Sequence, residues 1–234
     1  MNLKKSIKFL RSRMNFWVCK YDIAFLHQLR LFELNQIKQF LPKSGNLLEI
    51  GAGSGFQSKV LDSWNYNVKA IDLETSIYKN KKVFEITNYD GKKIPFKDAT
   101  FSIVFSSNVF EHIYDIKNIL SEISRVTKTN ATIILVMPSS TWRIWTLLTD
   151  LIKNWHSRPH GVHATNVFEE IFVFSEKWWL KHLKNNNLKV DIIKPINLFY
   201  TGNSILGKRF PIRYRNKLSY LIGGSCNFYI LKKN

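Results

Sequence analysis

Three groups of residues in this sequence have types and spacings suited to chemistry. The first is Glu49-Ile50-Gly51-Ala52-Gly53-Ser54-Gly55, which follows an apolar run and precedes a helical pattern beginning near Phe56. Missing side chains at 51, 53 and 55 let the chain turn sharply and bring its backbone against a ligand at a strand's carboxyl end. A dinucleotide fingerprint would need its third glycine at Phe56, and no Gly-Lys-Ser/Thr follows, which excludes a phosphate-gripping P-loop. An acid at Glu49 suits a cationic ligand better than a pyrophosphate. The second group is Asp72, closing the next apolar run where a doubly wound sheet places the carboxylate that receives ribose hydroxyls, with Glu74 as a substitute. The third is the series His156, His160 and His163. No Cys joins these histidines and no acid lies among them, so no metal site is expected. A neutral imidazole can take a proton from a sugar hydroxyl near pH 7, which makes His160 and His163 candidates for a catalytic base; capping a turn or packing against tryptophans is the structural alternative.

The elements that must position these residues follow from periodicity. No Gly or Pro occurs before Pro42. Leu3, Ile7, Leu10, Met14, Trp17 and Tyr21 fall on one helical face with Lys4, Lys8 and Arg11 beside it, a pattern shared by helices packed on their own domain and helices lying on a membrane. A second helix is expected over 24–41, with Phe25, Leu29, Phe32 and Ile37 inward, ended by Pro42-Lys43-Ser44-Gly45. From Asn46 the rhythm changes. Leu47–Ile50, Val68–Ile71, Val83–Ile86, Phe101–Phe105 and Thr132–Met137 read as buried strands, with a helical pattern through Val109, Ile113, Ile116, Leu120 and Ile123. Such alternation means α/β architecture, a parallel sheet with helices on both faces. After Pro138 the regularity weakens, then returns with a helix near Ser175–Asn185 and strands near Val190–Leu198 and Asn227–Leu231. The expected organisation is an N-terminal basic helical cap over 1–45 and a doubly wound, Rossmann-like domain over 46–234. That domain has seven mostly parallel strands, the last two forming an antiparallel hairpin, and a substrate-side insertion at 138–190.

At the glycine loop and Asp72 the sequence resembles the class I S-adenosylmethionine-dependent methyltransferases (methyltransferase type 11-like), whose first motif has the form acid-x-Gly-x-Gly-x-Gly. The resemblance continues through Asp90-Gly-Lys-Lys-Ile-Pro95-Phe96, Phe110-Glu111-His112, and Arg125-Val126-Thr-Lys128 followed by Thr132–Met137, over roughly 46–138. It implies that S-adenosyl-L-methionine is the cofactor, bound through Glu49, Gly51, Gly53, Gly55, Asp72, Asp90 and Asn108. Gly51, Gly53 and Gly55 would line its methionine and ribose side, Asp72 would hold the ribose hydroxyls, and Asp90 would face the adenine amino group. Ser106-Ser107-Asn108 would pass beneath the sulfonium. Two departures bear on local geometry: Ser102 stands where the family usually has Asp, and Asn130-Ala131 where it usually has a Gly pair.

Substrate determinants of such a sheet are expected after the fifth strand. The stretch holding His160 and His163, with the Phe174-Ser-x-x-Trp178 pattern after it, loosely resembles methyltransferases of bacterial surface-polysaccharide synthesis. Five of the seven Trp (Trp142, Trp145, Trp155, Trp178, Trp179) lie here, and Trp faces suit the apolar faces of sugar rings. The acceptor expected is a small-molecule or lipid-linked or nucleotide-linked sugar, methylated on oxygen. An RNA methyltransferase, a quinone or small-lipid methyltransferase, and an inactive cofactor-fold binding protein are the alternatives.

Charge and composition bound the rest. The 234 residues are 45% hydrophobic and 22% charged, enough to bury a sizeable core. The net charge of +18 is concentrated at the ends: 1–46 and 190–234 carry +7 each, while 47–137 carry +1. Basic ends suit phosphates or an anionic membrane surface, though 26 of the 35 basic residues are Lys, as coding drift would also give. No recognisable RNA-binding module is present, so nucleic acid is the less favoured partner. Lys8, Arg11 and Arg13 interrupt any export signal, and Cys19 and Cys226 cannot make a disulfide framework. A cytoplasmic protein, peripheral at the inner face of the membrane, is expected.

Overall fold

The computed structural model describes residues 18–19, 23–76, 82–154, 156–184, 188–202, 204–205 and 209–233. Most of the proposed first helix, with Lys4, Lys8 and Arg11, lies outside the described residues, as does Trp155; its described part, Val18–Cys19, is not helical but a short strand that pairs antiparallel with Ser204–Ile205. Seven strands form one sheet: β1 (Asn46–Ile50), β2 (Asn67–Leu73), β3 (Thr87–Tyr89), β4 (Phe101–Ser107), β5 (Thr127–Pro138), β6 (Leu188–Ile196) and β7 (Cys226–Lys233), in the order β3-β2-β1-β4-β5-β7-β6. The first five pair parallel, and β7 runs antiparallel to both β5 and β6. The seven-stranded, mostly parallel expectation therefore holds. Strand order reverses between β1 and β4, and their carboxyl ends open the crevice in which ligands of such sheets bind.

Helices α1 (Ile23–Ile37), α2 (Phe56–Ser63), α3 (Ile116–Val126), α4 (Ser140–Asn154), α5 (Val167–Val173), α6 (Glu176–His182) and α7 (Ile212–Ile222) complete the described fold. Crossover helices follow simple rules. In α3, Ile116, Ile119, Leu120 and Ile123 recur on one face and are buried, and the Asp115 side chain caps the start by accepting from the Asn118 N–H at 2.9 Å. Strands β1, β4 and the second half of β5 are apolar on both faces because helices cover both.

Four further expectations need correction. The third strand is Thr87–Tyr89, not Val83–Ile86. The Val83 N–H donates to the Ser54 carbonyl at 2.8 Å and Phe84 packs against Gly55, so this apolar run covers the glycine loop instead of extending the sheet. The pattern from Val109 is broken: a 3-10 turn over Phe110–His112 precedes α3, because Asp115 starts a new helix. The helix over 24–41 ends at Ile37 and tightens into a 3-10 turn, Lys38–Phe40, before Pro42. The last two strands do pair antiparallel, but α7 lies in their connection, so they are not a hairpin. The Asn130 departure has a physical account: its φ of 62° is the left-handed conformation that the family's glycine would take, and Asn tolerates it.

Candidate active site

A cleft opens at the carboxyl ends of β1 and β4. Its floor is the loop Gly51–Ser54, its far wall is Ser107 and Asn108, and α1 covers it with His27 and Arg30. The loop has its shape because glycine does. Gly51 has a φ of 74° and a Cβ there would meet a Val109 methyl at 2.3 Å. Gly53 lines the cleft with a φ of 57°, a left-handed conformation that favours glycine. Behind the loop, Asp72 accepts from the Gly53 N–H at 3.0 Å through one carboxylate oxygen and from the Leu73 N–H at 2.8 Å through the other.

The residues proposed from the sequence thus separate into three groups. Gly51, Gly53 and Asn108 line the cleft; Glu49, Gly55 and Asp72 brace it; Asp90 stands on an exposed turn after β3, where it accepts from the Lys92 and Lys93 N–H groups. Glu49 is buried behind the loop, accepts from the Ser58 hydroxyl, and burial pushes its carboxyl up to about 8. At neutral pH it is largely protonated, so it stabilises the loop from beneath rather than presenting charge to a cation.

Sequence reading missed the α1 wall. Arg30 Nη1 donates to Glu33 at 2.6 Å and to the Tyr200 hydroxyl at 3.1 Å, and Tyr200 in turn donates to Glu33 at 2.7 Å. Tyr200 also contacts the Cys226 sulfur at 3.0 Å, and that thiol donates to Asn108 at 3.4 Å. A buried polar chain therefore links the helix over the cleft to the strand end beneath it. The signal was a basic and an acidic residue three apart on an otherwise apolar helix face. His27 stacks flat on Phe56, centroids 3.9 Å apart. S-adenosylmethionine fits these residues. The side-chain-free wall at Gly53 admits it, Arg30 would hold its carboxylate, and Asp72 keeps unused lone pairs for ribose hydroxyls. The cofactor supplies an already activated methyl group.

A second cluster adjoins the cleft. The Glu111 carboxyl is buried, neither oxygen has a hydrogen-bond partner, and burial pushes its pKa up to about 8. His112 Nε2 lies 3.9 Å and His160 Nε2 4.0 Å from Glu111 Oε1. Burial, with help from His112 and Arg143, takes the His160 ring down to about 4, so these groups meet as neutral species and not as an ion pair. The loop carrying His160 is fixed by α5: Glu170 Oε1 accepts from the His160 and Gly161 N–H groups, both at 2.6 Å, while its other oxygen lies 3.4 Å from Arg143 Nε. Gly161 permits this approach, since a Cβ there would meet the Glu111 carbonyl at 2.6 Å. His163 is placed differently, its Nε2 3.4 Å from the Phe110 carbonyl and its ring 5.0 Å from Trp178. The fold supplies the acid that the spacing of the histidines lacked: Glu111, His112 and His160 hold their ligand-type atoms within 4.8 Å of one another.

Comparison with known proteins bears on both clusters. Residues 48–135 match the model of a family described as a methyltransferase domain. A ubiquinone biosynthesis O-methyltransferase from Pelagibacter ubique (strain HTCC1062) is 24% identical over 235 residues, spanning 87% of this chain and 91% of the relative. Among solved structures, an S-adenosylmethionine-dependent methyltransferase from Aquifex aeolicus superposes with a TM-score of 0.58 at 19% identity, covering 92% of this chain and all of that one. Geranyl diphosphate C-methyltransferase from Streptomyces coelicolor A3(2), in complex with Mg2+, geranyl-S-thiolodiphosphate and S-adenosyl-L-homocysteine, gives 0.58 at 12% identity over 96% of this chain and 92% of that one. The sheet order, the glycine loop and the matched segment agree: residues 48–135 carry a methyltransferase domain, on the fold of the S-adenosylmethionine-dependent methyltransferases.

Proposed function

We propose that this enzyme methylates a hydroxyl of a saccharide carried on a lipid or a nucleotide, at the cytoplasmic side of the cell. One observation carries the reading: beside the cleft, Glu111 is buried with both oxygens unpartnered and faces His112 and His160, a group suited to receive the proton that an acceptor hydroxyl must lose. With the cofactor bound at the glycine loop to supply the methyl group, Glu111 would take the proton that the acceptor hydroxyl loses, directly or through His160. A carboxyl with a pKa of about 8 matches this task near neutrality; His160, held near 4, is the weaker base and serves better as a relay. Trp178, half-buried beside His163, is an aromatic side chain of the kind that sugar rings use, while Trp142, buried 5.0 Å from His160, backs the loop.

A second reading, a quinone-type phenolic acceptor, is favoured by the 24% identical ubiquinone O-methyltransferase. The two are separated by incubating the enzyme with radiolabelled cofactor and purified pools of lipid-linked sugars, nucleotide sugars, demethylated quinone precursors and RNA. Label in the saccharide pools, reduced on the order of a hundredfold by Glu111→Gln, is the expected result. Label in quinone or RNA alone overturns the saccharide reading, and cofactor binding without turnover on any pool returns the chain to a binding role.

A further inference from the structure

Helix α4 buries polar side chains and exposes apolar ones. Beside Trp142, its buried face carries Arg143, Thr146 and Thr149: Arg143 donates to Ser157 and lies 3.4 Å from Glu170, Thr146 accepts from the Gly202 N–H at 2.8 Å, and Thr149 donates to helix carbonyls at 3.0 Å. Its outer face, at the i, i+4, i+7, i+8 spacing of one helical stripe, is Ile144, Leu148, Leu151 and Ile152, all exposed. Helix α5 packs against α4 and adds Phe168 and Phe172, one turn apart and 66% and 72% exposed. Six large apolar side chains on two adjacent helices exceed what scattered surface hydrophobes explain.

We infer that this α4–α5 face docks on an anionic phospholipid bilayer, lying in the interface without crossing it. Among the described residues no helix is long and apolar enough to span a membrane. Charge decides between occupants. A second copy of this chain would bring another +18 and be repelled, whereas an anionic surface is complementary. Acids in this part of the chain only reduce the surplus: over 138–189 there are 7 basic and 4 acidic residues, with Glu170 buried beside Arg143, Glu169 and Glu176 exposed, and Arg158, Lys177, Lys181 and Lys184 exposed in the adjoining segments. The inference goes beyond the saccharide reading and does not depend on it. The same two helices hold the His160 loop through Glu170, so docking would set the second cluster at the bilayer surface, where an acceptor on a lipid would arrive.

Flotation of the full chain with vesicles of phosphatidylcholine, with and without phosphatidylglycerol, tests it. Binding is expected to the acidic vesicles only and to weaken as salt rises. The variant Leu148→Gln/Ile152→Gln/Phe168→Ser/Phe172→Ser keeps every basic residue, so its partitioning should fall about tenfold or more while its circular dichroism and cofactor binding match the parent. Equal binding by parent and variant would assign any vesicle affinity to the basic ends and overturn the inference, as would a parent that ignores acidic vesicles. A parent that sediments as a dimer and a variant that sediments as a monomer would name a second copy as the occupant instead.

Discussion

Between Asn46 and Pro138 the strands and helices turn their apolar runs and stripes inward; α4 turns an aliphatic stripe outward and buries polar side chains beside Trp142. The first region buries Leu47, Leu48 and Ile50 under helices whose stripes match, and its net charge is close to zero. The second buries an arginine and two threonines and exposes four aliphatic residues. Each region also leaves buried polar atoms without a hydrogen bond, Glu111 in the first and Arg143 Nε in the second. The difference lies in what the outer face meets: water over the cofactor half, and in our inference lipid over the acceptor half.

The largest effect that would separate the halves is at the glycine loop. Gly53→Asn keeps a residue that tolerates positive φ but puts a side chain into the cleft. Calorimetry should then register no cofactor binding while the thermal transition shifts little. By contrast, His160→Ala and Glu111→Gln should leave cofactor binding intact and reduce turnover on the order of a hundredfold. His163, bonded to a backbone carbonyl, should matter less than His160. The pH profile identifies the base: with Glu111 as acceptor of the proton, turnover rises with pH until about 8, whereas a limb near 4 would assign His160. A turnover abolished by chelator would point instead to a cation held by Glu111, His112 and His160.

Next in size is the inverted helix itself. Arg143 and Glu170 are both buried, and removing one partner of such a pair leaves the other charge uncompensated. Arg143→Leu should therefore destabilise the protein by about 3 kcal/mol, measured by denaturant melting. A near-neutral result would mean that Glu170 is already protonated in the native state, which burial favours, and would weaken the contrast between the two regions.

How legible each region was follows from the same contrast. The strands around the glycine loop could be read because apolar runs there report burial directly, and the loop glycines because a sharp turn leaves few other residue types. The inward face of α4 could not be read from periodicity, since beside Trp142 its inward positions Arg143, Thr146 and Thr149 are polar and meet partners such as Ser157, Gly202 and Glu170 that lie outside the helix. Glu111 was noticed only as part of a shared motif. Its meeting with His160 depends on Gly161 and Glu170 folding the loop back over it, which no local spacing encodes.

Smaller effects concern protons. Glu111 and Glu49 hold native pKa values near 8 against an ordinary 4.5, so the native state keeps protons that the unfolded chain has released between those values. Their contribution is fully present below pH 4.5 and is lost as pH rises through 8. Melting temperature should decline across that window, and Glu111→Gln, which cannot ionise, should flatten the decline. An unchanged slope would show that the carboxyl ionises freely in the native cluster.

The smallest expected effect is the most telling for α4. Because Leu148 and Ile152 face outward, Leu148→Gln and Ile152→Gln should each alter stability by no more than about 0.5 kcal/mol, the range of ordinary surface changes. The equivalent swap at Leu47 or Ile123, buried in the regular half, should cost several times more, as large losses of core packing do. Denaturant melts of the four variants side by side measure the difference. Were Leu148→Gln as damaging as Leu47→Gln, the outer stripe would be packed against protein in solution, and the polarity of α4 would be ordinary after all. A negligible cost means that six apolar side chains persist on this surface without serving the fold, which leaves a partner outside the chain as their reason.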